Sequence, residues 1–366
     1  MSKNKKKKSK KILLIIISII LVLCIGLFAV GFSYWQSIKN APPEVEDTLT
    51  YDFDDETVAL SLQDDPQFDQ IFEGNATELK AAIKEWATNG GDVMYSEDVI
   101  NVLCLGVDTR NKNTISGLTD SMIICSVNKK LGTITFTSIM RDSYAYLESP
   151  DGVGSFNKIN SAFPFYGVEN LINTIESHFK IRIDGYAMIN FALFKAVIDK
   201  LGGVNVNISE YEAERFNASY DWDLQAGSSV NLNGDQALVF CRSRKIYNDG
   251  DVQRTENQRE VLIALLQKAA TIQASEVPEY IKTFMPYLET SYNEAELVSL
   301  GTKAVIGGWT KFSVQQIVMP DEASRKAHSG DVWYWEVDYP LAAQTLQNTI
   351  YGESNITLSE DRQAFY

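Results

Sequence analysis

Three apolar runs separated by short polar connections lie between residues 98 and 141: DVINVLCLGVD, SMIICSVN and TITFTSIM. Each has strand length and is rich in β-branched residues. Each is apolar on both faces, as strands in the middle of a sheet are. The first is joined to the second by TRNKNTISGLT, and NKKLG turns the second into the third. Runs joined this closely pair as an antiparallel meander. In a meander the end of the first strand, the start of the second and the end of the third share one edge. The pattern therefore predicts that Asp108, Asp120 and Arg141 converge at one rim of the sheet.

Downstream, elements of the two kinds alternate. VENLINTIESHFK and FALFKAVIDKLGG carry helical periodicity, and IRIDGYAMIN and VNVNI read as strands. This alternation predicts an α/β fold with a mixed central β-sheet flanked by helices. Residues 142–166 read as loop-rich and aromatic, and 209–233 as a polar insertion. Beyond residue 270 the pattern gives helices over EVPEYIKTFMPYLE, EAELVSLGTKAVIGG and PLAAQTLQNTIYG, and strands over FSVQQIVM and VWYWEVD. Before the meander, ATELKAAIKEWATNGG reads as a helix closed by Gly90 and Gly91.

The N-terminus constrains topology. Seven lysines fall within residues 1–11, and Ile12–Phe32 then holds no charge over 21 residues. As a helix that span is roughly 31 Å long, the thickness of a bilayer core. It is too long for the apolar core of a cleaved signal peptide. The lysines hold the N-terminus in the cytoplasm and place the rest outside, with Tyr34 and Trp35 at the interface. The expected organisation is a basic tail (1–11), a transmembrane helix (12–32), an acidic stalk (33–96), a catalytic domain (97–352) and a tail (353–366). The net charge of −15 combines +8 on residues 1–40 with −23 on the remainder. A body so acidic repels nucleic acid. His178 and His328 have no metal-ligand spacing and read as surface or satisfied core residues. Cys24, Cys104, Cys125 and Cys241 lack any CxxC spacing and read as free buried thiols.

Within this acidic chain, Arg242, Arg244, Arg254 and Arg259 fall inside eighteen positions. ALVFCRSR reads as a buried strand whose end carries Arg242 and Arg244 on one face. Asp251 reads as the cap of the following helix, on which Arg254 and Gln258 continue the stripe of Val261, Leu262 and Leu265. Arg259 falls on another face of that helix. Guanidinium forks grip phosphate through paired hydrogen bonds. Asp108 and Asp120 beside them suit a hard cation held by carboxylates and substrate phosphates. Taken singly, each of these side chains reads equally as half of an ordinary ion pair. No Walker A pattern and no GxGxxG is present.

From about residue 98 to 350 the chain resembles the LytR-CpsA-Psr family of Gram-positive bacteria. The matches are LCLGVDTR, TDSM, SIMRD, KINSA, DKLGGVNVN, GDQALVFCRSR and DVQRTENQ, in order. The resemblance implies a membrane-anchored, extracytoplasmic phosphotransferase. It would move an anionic glycopolymer, such as a teichoic acid or capsular polysaccharide, from a polyprenyl-pyrophosphate carrier to a peptidoglycan hydroxyl. The lipid tail would lie in an apolar tunnel under the sheet, with the strand before the arginines in its wall. By motif position, Asp108 and Asp120 resemble the Mg²⁺-associated acids, with Mn²⁺ as the alternative ion. Asp108, Asp120, Arg141 and Arg242 are the catalytic candidates. Arg110, Arg141, Lys158, Arg242, Arg244, Arg254 and Gln258 resemble the pyrophosphate grip and its polar support. The implied partners are the lipid-linked polymer, peptidoglycan and membrane lipid. Three positions depart from the pattern: Leu118 and Asn257 stand where the family commonly has arginine, and Met140 where proline is usual. Two other activities share these parts, a polyprenyl-pyrophosphate hydrolase and a non-catalytic envelope-sensing regulator.

Overall fold

The structure, a computed structural model, describes residues 76–107, 119–248, 250–269, 287–293, 296, 308–309, 312–328 and 332–359. The expected membrane span, the acidic stalk as far as residue 75 and most of the two helices expected between 276 and 308 lie outside these residues. Among the described residues no helix is long and apolar enough to cross a membrane.

In chain order the elements begin with α1 (Ala76–Asn89), β1 (Val99–Val107), β2 (Thr119–Asn128) and β3 (Thr133–Ile139). Next come β4 (Tyr144–Glu148), β5 (Gly154–Lys158), a 3-10 turn (Ile159–Ser161), α2 (Ala162–Tyr166) and α3 (Val168–Phe179). The middle of the chain forms β6 (Gly185–Asn190), α4 (Phe191–Lys200), β7 (Val204–Ile208), α5 (Glu210–Tyr220), β8 (Gly227–Leu232), α6 (Gly234–Arg242) and α7 (Gly250–Ala269). The last elements are β9 (Glu289–Thr290), β10 (Ser313–Met319), β11 (Arg325–His328), β12 (Tyr334–Val337) and α8 (Tyr339–Tyr351). These elements fall into two compact units. The described residues of the first lie in Glu97–Met140 and Ile183–Val318, and those of the second in Glu44–Ser96, Arg141–Arg182 and Met319–Tyr366.

The first unit is built on a mixed sheet whose described strands run in the order β10-β3-β2-β1-β6-β9. The expected meander is its centre. β1 pairs antiparallel with β2, Val102 opposite Cys125, and β2 with β3, Cys125 opposite Phe136. β6 joins the other side of β1 in parallel, from Val102 opposite Gly185 to Val107 opposite Asn190. Nearly every residue of β2 is buried, as a central strand covered on both faces must be. β6 passes directly into α4, because the Asn190 side chain accepts from the Leu193 N–H at 2.8 Å and starts the helix. α4 packs on α6, and α7 packs on α6, β7, β2 and β3. Val204, Val206, Leu238, Phe240 and Val261 are buried with the sheet residues Leu103, Ile124 and Phe136.

Three readings of the sequence are corrected here. ALVFCRSR is not a strand: Gly234–Arg242 is helix α6. Asn233 accepts from the Gln236 N–H while the Gln236 side chain accepts from the Asn233 N–H, a capping box that commits the following apolar run to helix. Arg242 and Arg244 therefore do not share a strand face, and that run is no strand wall along a lipid. Residues 209–233 are an ordered helix and strand: Ser209 and Glu212 make a second capping box, and β8 pairs with β7. Asp251 lies inside the first turn of α7 rather than before it.

The second unit holds the remaining correction. Residues 144–158 form the antiparallel hairpin β4–β5 instead of a loop, turned at Gly152, whose φ of +82° suits glycine. The core of this unit is aromatic. The Tyr339 hydroxyl donates to the Tyr144 carbonyl at 2.9 Å, and the His178 ring meets Tyr339 edge-on at 4.5 Å. His178 is fully buried and satisfied: Nε2 accepts from the Tyr146 N–H at 3.1 Å, and Nδ1 lies 2.8 Å from the Thr174 carbonyl. Both partners suit the neutral imidazole with its proton on Nδ1. Cys104, Cys125 and Cys241 are free thiols, Cys125 and Cys241 buried as expected and Cys104 half-buried.

Burial pushes the His178 imidazole down to about 4. Its neutral form is favoured in the folded chain, so its contribution is complete above the unfolded value near 6.5. That contribution is lost as pH falls toward about 4 and amounts to about 3 kcal/mol. Urea unfolding at pH 7 and pH 4 should show this loss in the native chain and a smaller one in His178→Gln. Equal pH dependence in the two chains would refute the assignment.

Candidate functional site

The arginines that drew attention in sequence come from two helix ends joined by a short turn. α6 ends at Arg242, and its last turn closes with the Ser243 hydroxyl donating to the Val239 carbonyl at 2.8 Å. The chain then leaves in extended conformation through Ser243 and re-enters helix at Gly250. Gly250 is required by packing: a Cβ there would lie 2.5 Å from the Arg244 carbonyl oxygen. This close approach brings Arg244 to the first turn of α7.

Asp251 occupies that turn. Its carboxylate lies 2.7 Å from the Arg254 guanidinium and 3.7 Å from Arg244. Arg254 and Asp251 are both buried, and the i,i+3 spacing on one helix face makes their contact. Arg242 lies 3.9 Å from Asp120, the second residue of β2. It also stacks over the Phe191 ring at 4.2 Å, a cation–π contact that orients the guanidinium plane. A cation at the C-terminus of α6 and an acid at the N-terminus of α7 both sit where the helix dipoles favour them.

The other candidates divide. Gln258 donates its amide to the Cys241 carbonyl at 3.2 Å, tying α7 to the end of α6. Asn257, at the position of a family arginine, does the same more extensively. Its Nδ2 donates to the Phe240 carbonyl at 3.0 Å and to the Tyr247 hydroxyl at 2.9 Å. Tyr247 in turn donates to Glu212 at 2.6 Å, and burial first of all pushes its phenol far up, so it stays a donor. Arg259 is buried in another direction and donates to Ser138 on β3 at 2.7 Å and to Gln316 on β10 at 3.3 Å. In the second unit, Asp142 lies 3.4 Å from Arg141 and 2.6 Å from Lys158. Asp108, Arg110 and Leu118 lie outside the described residues.

Sequence reasoning overlooked Asp142 and the Tyr247–Asn257–Glu212 network, and it misassigned Asp251. The i,i+3 spacing of Asp251 and Arg254 was the available signal. Tyr247 gave none, because its role depends on a helix in the stretch read as an insertion.

The arrangement can hold an oxyanion: three guanidinium groups from α6, the turn and α7 are spaced by two carboxylates. Among the described residues no cluster of three or more His, Cys, Asp or Glu is disposed to hold a metal alone. Asp120 supplies one buried carboxylate, an oxygen donor suited to a hard divalent ion that takes its other ligands from phosphate and water.

Residues 70–350 match the family described as LytR_cpsA_psr family. Over 177 residues the chain is 34% identical to the polyisoprenyl-teichoic acid–peptidoglycan teichoic acid transferase TagU of Bacillus licheniformis, covering 48% of this chain and 54% of that protein. The chain thus spans about half the length of the curated relatives it matches first. Among solved structures, protein gbs0355 from Streptococcus agalactiae superposes with a TM-score of 0.60 at 22% identity, covering 72% of this chain and 91% of that one. TagT bound to LI-WTA gives 0.54 at 23% identity, covering 70% and 94%. These structures share the mixed α/β fold.

Asn257→Ala should unfasten the turn that carries Arg244. It removes the hydrogen bonds to Phe240 and Tyr247 and the one accepted from Gln253, and should cost about 2 kcal/mol of stability. Thermal unfolding measures this. An unchanged midpoint would show that the network does not hold the turn.

Proposed function

The chain belongs to the LytR_cpsA_psr family, and from that premise we propose that it transfers an anionic glycopolymer from a polyprenyl-pyrophosphate carrier to a hydroxyl of peptidoglycan. The observation that carries this reading is that the α6–α7 junction carries three arginines paired with acids, Arg242 with Asp120 and Arg244 and Arg254 with Asp251. Phosphoryl transfer asks little of a protein beyond positioning and neutralising charge, and guanidinium groups supply both.

In the proposed reaction the acceptor hydroxyl oxygen attacks the phosphorus that bears the glycopolymer. A new phosphorus–oxygen bond forms, and the bond to the bridging pyrophosphate oxygen breaks. The lipid leaves as polyprenyl monophosphate, and the hydroxyl proton passes to a carboxylate. Arg242, Arg244 and Arg254 hold the pyrophosphate oxygens and offset the charge that grows on the leaving phosphate. Arg110, Arg141 and Lys158 are pyrophosphate-binding candidates by motif alone. Asp120, with Asp108 by motif, would hold Mg²⁺, or Mn²⁺ in its place. When bound, such an ion supplies Lewis-acid neutralisation of phosphate charge. Gln258 supports the grip through the Cys241 carbonyl instead of touching phosphate.

The lysine-rich tail and residues 12–32 would anchor the chain in the cell membrane as a single-pass span. The catalytic residues would then be extracytoplasmic, within reach of a membrane-borne donor. The partners would be the lipid-linked polymer, peptidoglycan and the bilayer.

Full-length chain, a polyprenyl-pyrophosphate-linked saccharide, peptidoglycan and Mg²⁺ should yield linked product. Asp120→Ala or Arg242→Ala should lower the rate by a hundredfold or more, and chelation of the metal should stop it. Full transfer by either variant would overturn the site. Fast release of saccharide phosphate without acceptor would identify a hydrolase, and binding without turnover a sensing protein.

A further inference from the structure

Beside Arg242 the first unit carries an aromatic pair that the proposed reaction does not use. Tyr220 ends α5, and the Tyr220 and Trp222 rings stack at 4.7 Å with 24° between their planes. Residues two apart across a helix end meet this way only if the chain reverses between them. Asp221 makes that reversal in the left-handed region, with φ of 54°.

The segment is then pinned. The Asn217 side chain donates to the Leu224 carbonyl at 2.9 Å and accepts from the Leu224 N–H at 2.8 Å. Leu224 is buried. Phe216 links this corner to the site, packing against Trp222 at 6.3 Å on one side and against Phe240 of α6 at 6.5 Å on the other. The link to Arg242 is also electrostatic. Burial raises the Tyr220 phenol, and the Arg242 charge opposes that rise.

We propose that the Tyr220–Trp222 stack is a sugar-binding platform that receives the first saccharide ring on the pyrophosphate of the donor. This rests on the transferase reading and names a specificity subsite of the same site. Two features favour a sugar over a lipid tail. The rings are half-buried rather than enclosed, so each offers a face or edge to a ligand. Their rim is polar and acidic: Asp221, Asp223 and Gln225 are exposed, with Gln225 donating to Asp223 at 2.9 Å. A pyranose matches this chemistry, its C–H face on an aromatic ring and its hydroxyls toward carboxylates and amides. A hydrocarbon tail would make no use of those exposed acids. The acids disfavour an anionic ring, so the ring bound here is uncharged, and the nearby Arg242 charge places it next to the pyrophosphate. Because the αL corner and the Asn217 clamp already fix the rings, little ordering is left for the ligand to impose.

The test compares two probes on the full-length chain in detergent: a polyprenyl pyrophosphate, and the same lipid carrying an uncharged monosaccharide on its pyrophosphate. The native chain should bind the saccharide-bearing lipid more tightly. Trp222→Leu keeps an apolar side chain but loses the aromatic face. It should weaken the saccharide-bearing lipid about tenfold while leaving the bare lipid within twofold. Trp222→Tyr should restore most of the difference. Equal weakening of both lipids in Trp222→Leu, with folding intact by circular dichroism, would place the pair against the lipid and overturn the proposal. So would no change in either. Binding of neither lipid by the native chain would overturn the transferase reading itself.

Discussion

Burying guanidinium groups is costly unless each is met by an opposite charge. Arg254 is 3% exposed, and it can be so because Asp251 sits one helical turn before it at 2.7 Å. Much of the local structure follows from that contact. It sets Asp251 in the first turn of α7 and draws Arg244 toward the same carboxylate. The Arg244 backbone then lies so near Gly250 that no Cβ fits. The turn between α6 and α7 is short and held in place from Phe240 to Glu212 by the Asn257 and Tyr247 side chains. A charge requirement in one helical turn thus fixes the backbone that positions three arginines.

The meander was legible because β-branched runs joined by brief polar turns have few other ways to fold, and Asp120 could be placed from strand order alone. α6 was not legible by periodicity. ALVFC is apolar throughout, and so short a run reads equally as buried strand or buried helix. What separates the two lies upstream, in Asn233 and Gln236, just as Ser209 and Glu212 announce α5 in the stretch read as an insertion. Both missed helices begin with a capping box, a signal carried by polar residues outside the apolar run. The β4–β5 hairpin was hidden for a related reason: its residues are aromatic and polar, and of its partners α1 and β12 come from distant parts of the chain.

Of the positions that depart from the pattern the resemblance implies, Asn257 acquires a physical account. It makes no charged contact. It is 1% exposed and spends its amide on a backbone carbonyl and a phenol. Arg259 does not replace the missing cation. Five residues beyond Arg254 it is turned about 140° around the helix, toward Ser138 and Gln316 on the sheet. The two residues show why arginine counts alone mislead: the same side chain is paired with Asp251 on one helix face and is a sheet fastener on another.

The described ion pairs also differ in strength, which bears on how an anion would be received. Asp251 and Arg254 are in close contact and buried, a pair that resists separation because either charge left alone would be poorly solvated. Arg244 lies 3.7 Å from the same carboxylate with about a third of its side chain exposed, so solvent screens that contact. Arg242 lies 3.9 Å from Asp120 and stacks on the Phe191 ring. Arg254 therefore acts as a fixed point, and Arg242 as a group oriented by its aromatic support. In the proposed reaction a pyrophosphate would meet the solvent-screened contact at Arg244 without having to break the buried Asp251–Arg254 pair, which would leave the turn intact.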